Sequence, residues 1–126
     1  MKHILIVDDD LLIQRLFTQF FTAEGYSTAV ADNGLAAILQ ISTKRPDLII
    51  TDVVMPGMDG LALIREVRKS HPDIPMIAIS GGQRAVAVNF QPHAEKDGAH
   101  QFLEKPVSLS TLLISVQRLL DQNHPA

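Results

Sequence analysis

Residues 48–50 form an uninterrupted apolar run that leads into Asp52 and a turn rich in proline and glycine, and this pattern permits few folds. A continuous apolar run is typical of a strand covered on both faces, as in the interior of a parallel sheet. Loops diverge at the carboxyl ends of such strands and leave a crevice where ligands bind. The run therefore predicts that Asp52 lies at a ligand-binding edge. Taken alone, the stretch is explained more simply by an aspartate that merely caps the next turn.

Four further strands are predicted at residues 4–7, 26–31, 74–79 and 100–103. Apolar residues at the helical period predict helices after the first three strands in the chain and after the last, and Pro92 favours a short helix at 93–97. Residues 83–90 show no clear apolar face and are predicted as a loop. Strands that alternate with helices predict an α/β fold with right-handed crossovers. We expect a flavodoxin-like, five-stranded parallel sheet in the order 2-1-3-4-5, with helices on both faces.

Composition narrows the class of protein and its partners. The chain has 126 residues, of which 46% are hydrophobic, enough for the core of one domain. Its net charge of -3 provides no basic surface, so we expect no direct nucleic-acid binding and no membrane binding. The apolar run at residues 4–7 is too short for a signal or membrane-spanning segment, and the chain has no cysteine. These features predict a cytoplasmic protein with protein partners.

Three adjacent carboxylates follow the first predicted strand, at Asp8, Asp9 and Asp10. One of them can cap the following helix by accepting backbone hydrogen bonds, and Asp10 suits that role. Three neighbouring acids also repel one another unless a cation is present. Clustered carboxylate oxygens suit Mg²⁺, which needs only one or two protein carboxylates because it retains several waters. A magnesium site at this strand end is therefore predicted.

Chemically distinct side chains follow four strands that the predicted order makes neighbours. Asp8 and Asp9 end the first strand and Asp52 the third, while Ser80 ends the fourth and Lys105 follows the fifth. The carboxyl ends of parallel strands lie along one edge of a sheet. The acids, the hydroxyl and the ammonium are therefore expected to converge on one crevice.

Motifs along nearly the whole chain resemble the receiver domain of response regulators in two-component signalling. They are ILIVDDD at residues 4–10, PDLIITD at 46–52, MPGMDG at 55–60, SG at 80–81 and FLEKP at 102–106. The resemblance implies a switch that receives a phosphoryl group from a histidine kinase or phosphotransfer protein and then alters its binding to a downstream protein effector. Such a domain catalyses only its own phosphorylation and dephosphorylation, so no enzyme acting on a separate substrate is expected.

The resemblance also implies a role for each matching residue. Asp52 is the phosphoacceptor, and it binds Mg²⁺, for which Mn²⁺ can substitute, together with Asp8, Asp9 and the backbone carbonyl of Val54. Ser80 and Lys105 contact the phosphoryl group and complete the catalytic set with Asp52.

Ser80 has a second implied role, as a switch residue together with Phe102. A carboxylate nucleophile forms an acyl phosphate, which adds nearly two negative charges that a hydroxyl and a cation can bind. If the Ser80 loop moves toward that group, Phe102 can turn inward and alter the outer face. A fixed apolar role for Phe102 is the alternative.

Alternative functions are also compatible with parts of the sequence. The domain could act as an unphosphorylated docking receiver, or as a haloacid-dehalogenase-type phosphatase with Asp8 as its nucleophile. A flavodoxin-like cofactor-binding module shares the topology, but three acids in the first loop would repel a phosphate. The segment between Ser80 and Lys105 is longer than the family pattern. We expect a single receiver domain over residues 1–126 without an output domain, and the oligomeric state stays open.

Overall fold

The structure is a computed structural model that describes residues 1–53, 60–80, 101–104 and 108–122. Five parallel strands form one sheet in the order β2-β1-β3-β4-β5. The strands are β1 (His3–Val7), β2 (Ser27–Ala31), β3 (Leu48–Asp52), β4 (Met76–Ser80) and β5 (Gln101–Glu104). The predicted fold class and strand order are confirmed.

Four helices belong to the described part of the chain: α1 (Leu11–Ala23), α2 (Gly34–Thr43), α3 (Gly60–Ser70) and α4 (Leu109–Gln122). Asp10 and Asn33 cap α1 and α2, with side-chain oxygens that accept backbone N–H groups of Leu12 and Ala36, each at 2.9 Å. These bonds satisfy amides that have no partner within the first helical turn. None of the described helices has both the length and the apolar character needed to cross a bilayer.

Two apolar clusters cover the two faces of the sheet, because successive side chains of a strand point to opposite sides. On one face, the α2 and α3 side chains pack on Leu5, Val7 and Ile49. On the other, α1 and α4 pack on the alternate residues of the same strands, such as Ile6 and Ile50. This arrangement explains why the central strands read as continuous apolar runs and confirms helices on both faces.

The apolar face of α1 differs from the one its sequence suggested. Leu12 and Leu16 recur at the helical period with Ile13, Phe17 and Phe20, yet Leu12 is 71% exposed and Leu16 is also exposed. The helix instead buries Phe17 and Phe21, whose rings meet edge to face. Periodicity finds the helix but does not choose among overlapping apolar stripes, which depends on where the sheet lies.

Element boundaries shift by small amounts from the prediction. The fourth strand begins at Met76 rather than two residues earlier, and the fifth covers Gln101–Glu104 rather than residues 100–103. Strand ends are defined by pairing with a neighbour, which a single sequence does not contain. The predicted loop at 83–90 and short helix at 93–97 lie outside the described residues.

Candidate functional site

The carboxyl edge of the sheet brings together the three strands that carry the predicted site. Asp8 directly follows β1, Asp52 is the last residue of β3, and Ser80 is the last residue of β4. In the sheet register, Val7 is beside Thr51 and Asp52 is beside Ile79. The strand ends are thus level with one another, as the strand order predicted.

Three carboxylates meet at this edge. Asp8, Asp9 and Asp52 each present one oxygen, and these oxygens all lie within 4.8 Å of one another. Asp8 is only 4% exposed and Asp52 9% exposed, whereas Asp9 is open to solvent. Like charges at this spacing and burial repel one another, and a bound cation would offset that repulsion.

The three adjacent acids of the first loop have different structural roles. Asp10 caps α1 through the Leu12 amide, as its sequence position suggested. The amide of Asp10 itself donates to Oδ1 of Asp8 at 2.9 Å, which orients that carboxylate. Asp10 is therefore a supporting residue, and Asp8 and Asp9 are left to face Asp52.

The backbone around Asp52 is held at close quarters by the start of α3. The Val53 amide donates to the Ile79 carbonyl at 2.9 Å, and the Gly60 amide donates to the Val53 carbonyl at 2.9 Å. A Cβ on Gly60 would lie 2.1 Å from the Asp52 carbonyl oxygen, so this position has no room for a side chain. Glycine is thus required here by close backbone approach.

The donor set fits a hard divalent cation. Three carboxylates supply the oxygen ligands that Mg²⁺ prefers, and the exposed Asp9 leaves one side of the cluster open to waters that Mg²⁺ retains. Val54, whose carbonyl was predicted as a further ligand, lies outside the described residues, as does Lys105. For Ser80 and Phe102 the structure describes the backbone, which places them at the end of β4 and within β5.

Sequence reasoning missed Gln14, which supports the same loop from α1. Its side chain is 7% exposed, and its Nε2 donates to the Asp8 carbonyl at 2.6 Å and to Oδ1 of Asp32 at 2.7 Å. The available signal was its position three residues before Phe17 and seven before Phe21, on the buried face of the helix. A polar residue at such a position needs a hydrogen-bond partner.

Comparisons with known proteins agree with this geometry. The family model described as the response regulator receiver domain matches residues 4–117. The nitrogen assimilation regulatory protein NtrX of Azorhizobium caulinodans is 38% identical over 125 residues, which cover 96% of this chain and 27% of that protein. The response regulator MprA of Mycobacterium avium is 32% identical over 98% of this chain and 53% of its own length. The chain thus spans about a quarter to a half of these curated relatives.

Solved structures give the same assignment. A CheY-like response regulator receiver domain protein from Methanospirillum hungatei superposes with a TM-score of 0.90 at 28% identity, covering 98% of this chain and 96% of that one. NtrX from Brucella abortus, in complex with ADP, superposes with a TM-score of 0.88 at 32% identity over 98% of this chain and 28% of that one. Receiver domains of this kind are signalling switches rather than classic enzymes. The level strand ends, the carboxylate cluster and these matches together show that the chain belongs to the response regulator receiver domain family of two-component systems.

Proposed function

We propose that this domain is a phosphorylation-dependent switch in which Asp52 accepts a phosphoryl group from a histidine kinase or a phosphotransfer protein. The observation that carries the proposal is the cluster of three carboxylates within 4.8 Å of one another, at the strand ends of a receiver domain. A downstream protein effector would then distinguish the phosphorylated from the unphosphorylated form.

Asp52 is the best-supported nucleophile of the three acids. It ends a central strand whose backbone is held by β4 and by the first residue of α3, so its position is well defined. In the transfer, a carboxylate oxygen of Asp52 forms a bond to phosphorus while the P–N bond of the donor phosphohistidine breaks. The bonding electrons leave with the imidazole nitrogen, and the product is an acyl phosphate.

Mg²⁺ and the Lys105 ammonium group have separate roles in this proposal. Asp8, Asp9 and Asp52, together with the Val54 carbonyl, would hold Mg²⁺ or its substitute Mn²⁺. When bound, the ion offsets negative charge on the phosphoryl oxygens. Lys105, which follows β5 in the sequence, would bind the same oxygens, and its positive charge would offset the negative charge that develops on them.

Ser80 and Phe102 would convert phosphorylation into an altered surface. Ser80 ends the strand next to β3, one residue beyond the partner of Asp52, so a phosphoryl group on Asp52 would be near its loop. Phe102 lies on β5 beside Ala78 of β4, and a change near Ser80 would therefore act on a neighbouring strand. The physical basis is a new anion that binds a hydroxyl and biases an aromatic side chain between two positions.

The alternative functions have less support. A dehalogenase-type mechanism would need Asp8 as a nucleophile, whereas Oδ1 of Asp8 accepts the Asp10 amide, an arrangement that suits a carboxylate held in place as a metal ligand. A docking role without phosphorylation would not need three clustered carboxylates, whose mutual repulsion disfavours the folded state.

Intact mass after incubation with acetyl phosphate tests the proposal. With Mg²⁺, we expect wild type to gain one phosphoryl group, and chelation of the metal should prevent the gain. Asp52→Asn should abolish labelling because the nucleophile is lost, whereas Asp47→Asn, at the opposite end of β3, should label like wild type. Normal labelling of Asp52→Asn together with loss of labelling in Asp8→Asn would instead support the dehalogenase-type mechanism.

A further inference from the structure

We infer that Gln14 is a positioning residue for the metal site, which it organises through the backbone of Asp8. This inference rests on the proposed function, because it concerns how the proposed metal ligands are held. Gln14 is remote from Asp52 in the chain and belongs to none of the family motifs identified in the sequence. Its side chain makes two hydrogen bonds, one to the Asp8 carbonyl and one to the Asp32 carboxylate, and the first of these connects it to the site.

Both peptide groups of Asp8 are hydrogen-bonded. Its N–H donates to the carbonyl of Ala31, the last residue of β2, at 3.1 Å. Its carbonyl accepts the side-chain amide of Gln14 at 2.6 Å. The backbone of this proposed ligand is therefore held from both sides, by β2 and by α1.

Gln14 has a second partner, in the loop that follows β2. The same Nε2 donates to Oδ1 of Asp32 at 2.7 Å, and Asp32 directly follows Ala31. The contacts therefore form a closed ring from Ala31 through Asp8 and Gln14 to Asp32. Both hydrogens of the amide are used, and the geometry identifies this atom as the nitrogen because both partners are acceptors.

The Asp8 carboxylate links this ring of contacts to the proposed metal site. The Asp8 carboxylate is carried by the peptide that Gln14 holds, and one of its oxygens is oriented by the Asp10 amide. Residues that orient metal ligands from outside the coordination sphere commonly alter metal affinity by tenfold or more when they are replaced. Gln14 is a neutral double donor, so it can hold a carbonyl and a carboxylate without adding charge to the metal site.

Gln40 provides a matched control within the same chain. It is a glutamine of α2 whose Nε2 also donates to a backbone carbonyl of β2, that of Val30, and it does not contact Asp8. Gln14→Met and Gln40→Met each remove a buried or partly buried amide contact and keep the length of the side chain. A purely structural role would lead both substitutions to lower stability and neither to change metal affinity.

The test is Mn²⁺ binding, measured from the electron paramagnetic resonance signal of the free ion. Urea unfolding of each metal-free protein is the second measurement. We expect Gln14→Met to raise the Mn²⁺ Kd by roughly tenfold, and Gln40→Met to leave it at the wild-type value. Asp9→Ala, which removes a proposed ligand, shows the size of a direct loss. Gln14→Met with the wild-type Kd, whatever its stability, would overturn the inference while the metal site stood. Absence of Mn²⁺ binding by wild type would overturn the proposed site itself, and this inference with it.

Asp32 provides a second route to the same test that leaves the core intact, because its side chain is exposed. Asp32→Ala removes one acceptor of the Gln14 amide, so the Mn²⁺ Kd should rise, by no more than the roughly tenfold expected for Gln14→Met. Asp32→Asn keeps an oxygen acceptor while losing the charge, and it should bind Mn²⁺ like wild type. Equal weakening by both substitutions would show that the charge of Asp32 matters rather than the hydrogen bond, and would contradict the ring.

Discussion

Asp47 and Asp52 lie at opposite ends of β3, and the groups around the two carboxylates differ in kind. Asp47 precedes the strand, where its Oδ2 accepts the backbone N–H of His3 at 2.7 Å and its own N–H donates to the His3 carbonyl at 2.7 Å. Asp52 ends the strand, where two other carboxylates lie close by. The Asp47 carboxylate accepts a backbone N–H, which stabilises the native state, whereas the Asp52 carboxylate lies close to two like charges.

The difference shows how position in a parallel sheet separates structural from chemical roles. At the amino edge, the Asp47 carboxylate binds a backbone donor of the neighbouring strand β1. At the carboxyl edge, the loops that leave β1 and β3 place acids against one another, an arrangement that a cation would favour. We therefore expect substitutions at the two ends of β3 to differ in sign as well as in function.

The largest expected effect comes from Gly60, which allows the carboxyl end of β3 to approach α3. Gly60→Ala would place the new Cβ 2.1 Å from the Asp52 carbonyl oxygen and 2.7 Å from the Val53 Cα, both of them backbone atoms. We expect the free energy of unfolding to fall by about 3 kcal/mol, since the backbone must move. Urea unfolding measures this loss, and the rate of labelling by acetyl phosphate should fall with it because Asp52 shifts.

Gly25→Ala is the control for this substitution. Gly25 has a φ of 94°, which disfavours a side chain, but a Cβ there would meet no atom within 4 Å. The expected loss is about 1 kcal/mol, from backbone strain alone. A Gly60→Ala protein as stable as Gly25→Ala would show that the approach of α3 to Asp52 is not tight.

Substitutions at the two ends of β3 should change the free energy of unfolding by smaller amounts and in opposite directions. In the absence of divalent metal, Asp52→Asn should raise the free energy of unfolding by about 1 kcal/mol, because it relieves repulsion among the three acids. The three carboxylates of wild type would outnumber the single Lys105 ammonium of the proposed site, so repulsion among them would remain. Asp47→Ala should lower stability by about 1 kcal/mol, because it removes the acceptor of the His3 amide.

Added Mg²⁺ should affect the variants at the two ends of β3 differently. Binding to the native state should stabilise wild type and Asp47→Ala alike, and it should stabilise Asp52→Asn much less, because one ligand is lost. Thermal unfolding with and without Mg²⁺ measures the three shifts. Equal stabilisation of Asp52→Asn and wild type would remove Asp52 from the proposed set of metal ligands.

The smallest expected effect is a pH dependence at the amino edge. His3 is 8% exposed, and burial, followed by the nearby Lys44, lowers the pKa of its imidazole, while Asp47 and the Ser27 contact raise it. The unfolded chain therefore binds a proton at a higher pH, near the ordinary value of 6.5, than the native state does. The contribution of His3 to stability should accordingly fall as the pH drops below that value.

Urea unfolding across that pH range, in wild type and His3→Gln, measures the effect. His3→Gln should show a weaker loss of stability with acid than wild type does. Asp47→Ala should make the loss steeper, because it removes a charge that favours the imidazolium. A steeper acid loss in His3→Gln than in wild type would contradict the assigned sign.

Much of the fold could be predicted because its signals are local. The continuous apolar run before Asp52 indicated a doubly covered strand, and β3 is buried along its whole length. Asp10 was expected to cap α1 and does so. The less predictable feature was which face of α1 is buried. Leu12 is apolar but exposed, whereas Gln14 is polar but buried.

Sequence alone was enough to predict the alternation of strands and helices, the central place of β3 and the acids at its carboxyl edge, because periodicity and turn chemistry are properties of neighbouring residues. The three-dimensional arrangement was needed to show which acids face one another, why Gly60 has no room for a side chain, and that Gln14 holds the Asp8 backbone. Each of these depends on groups far apart in the chain whose separation is set by strand register and helix placement. Hydrogen bonds and steric exclusion act over a few ångströms, so they can be identified only in the folded structure, where those groups lie close together.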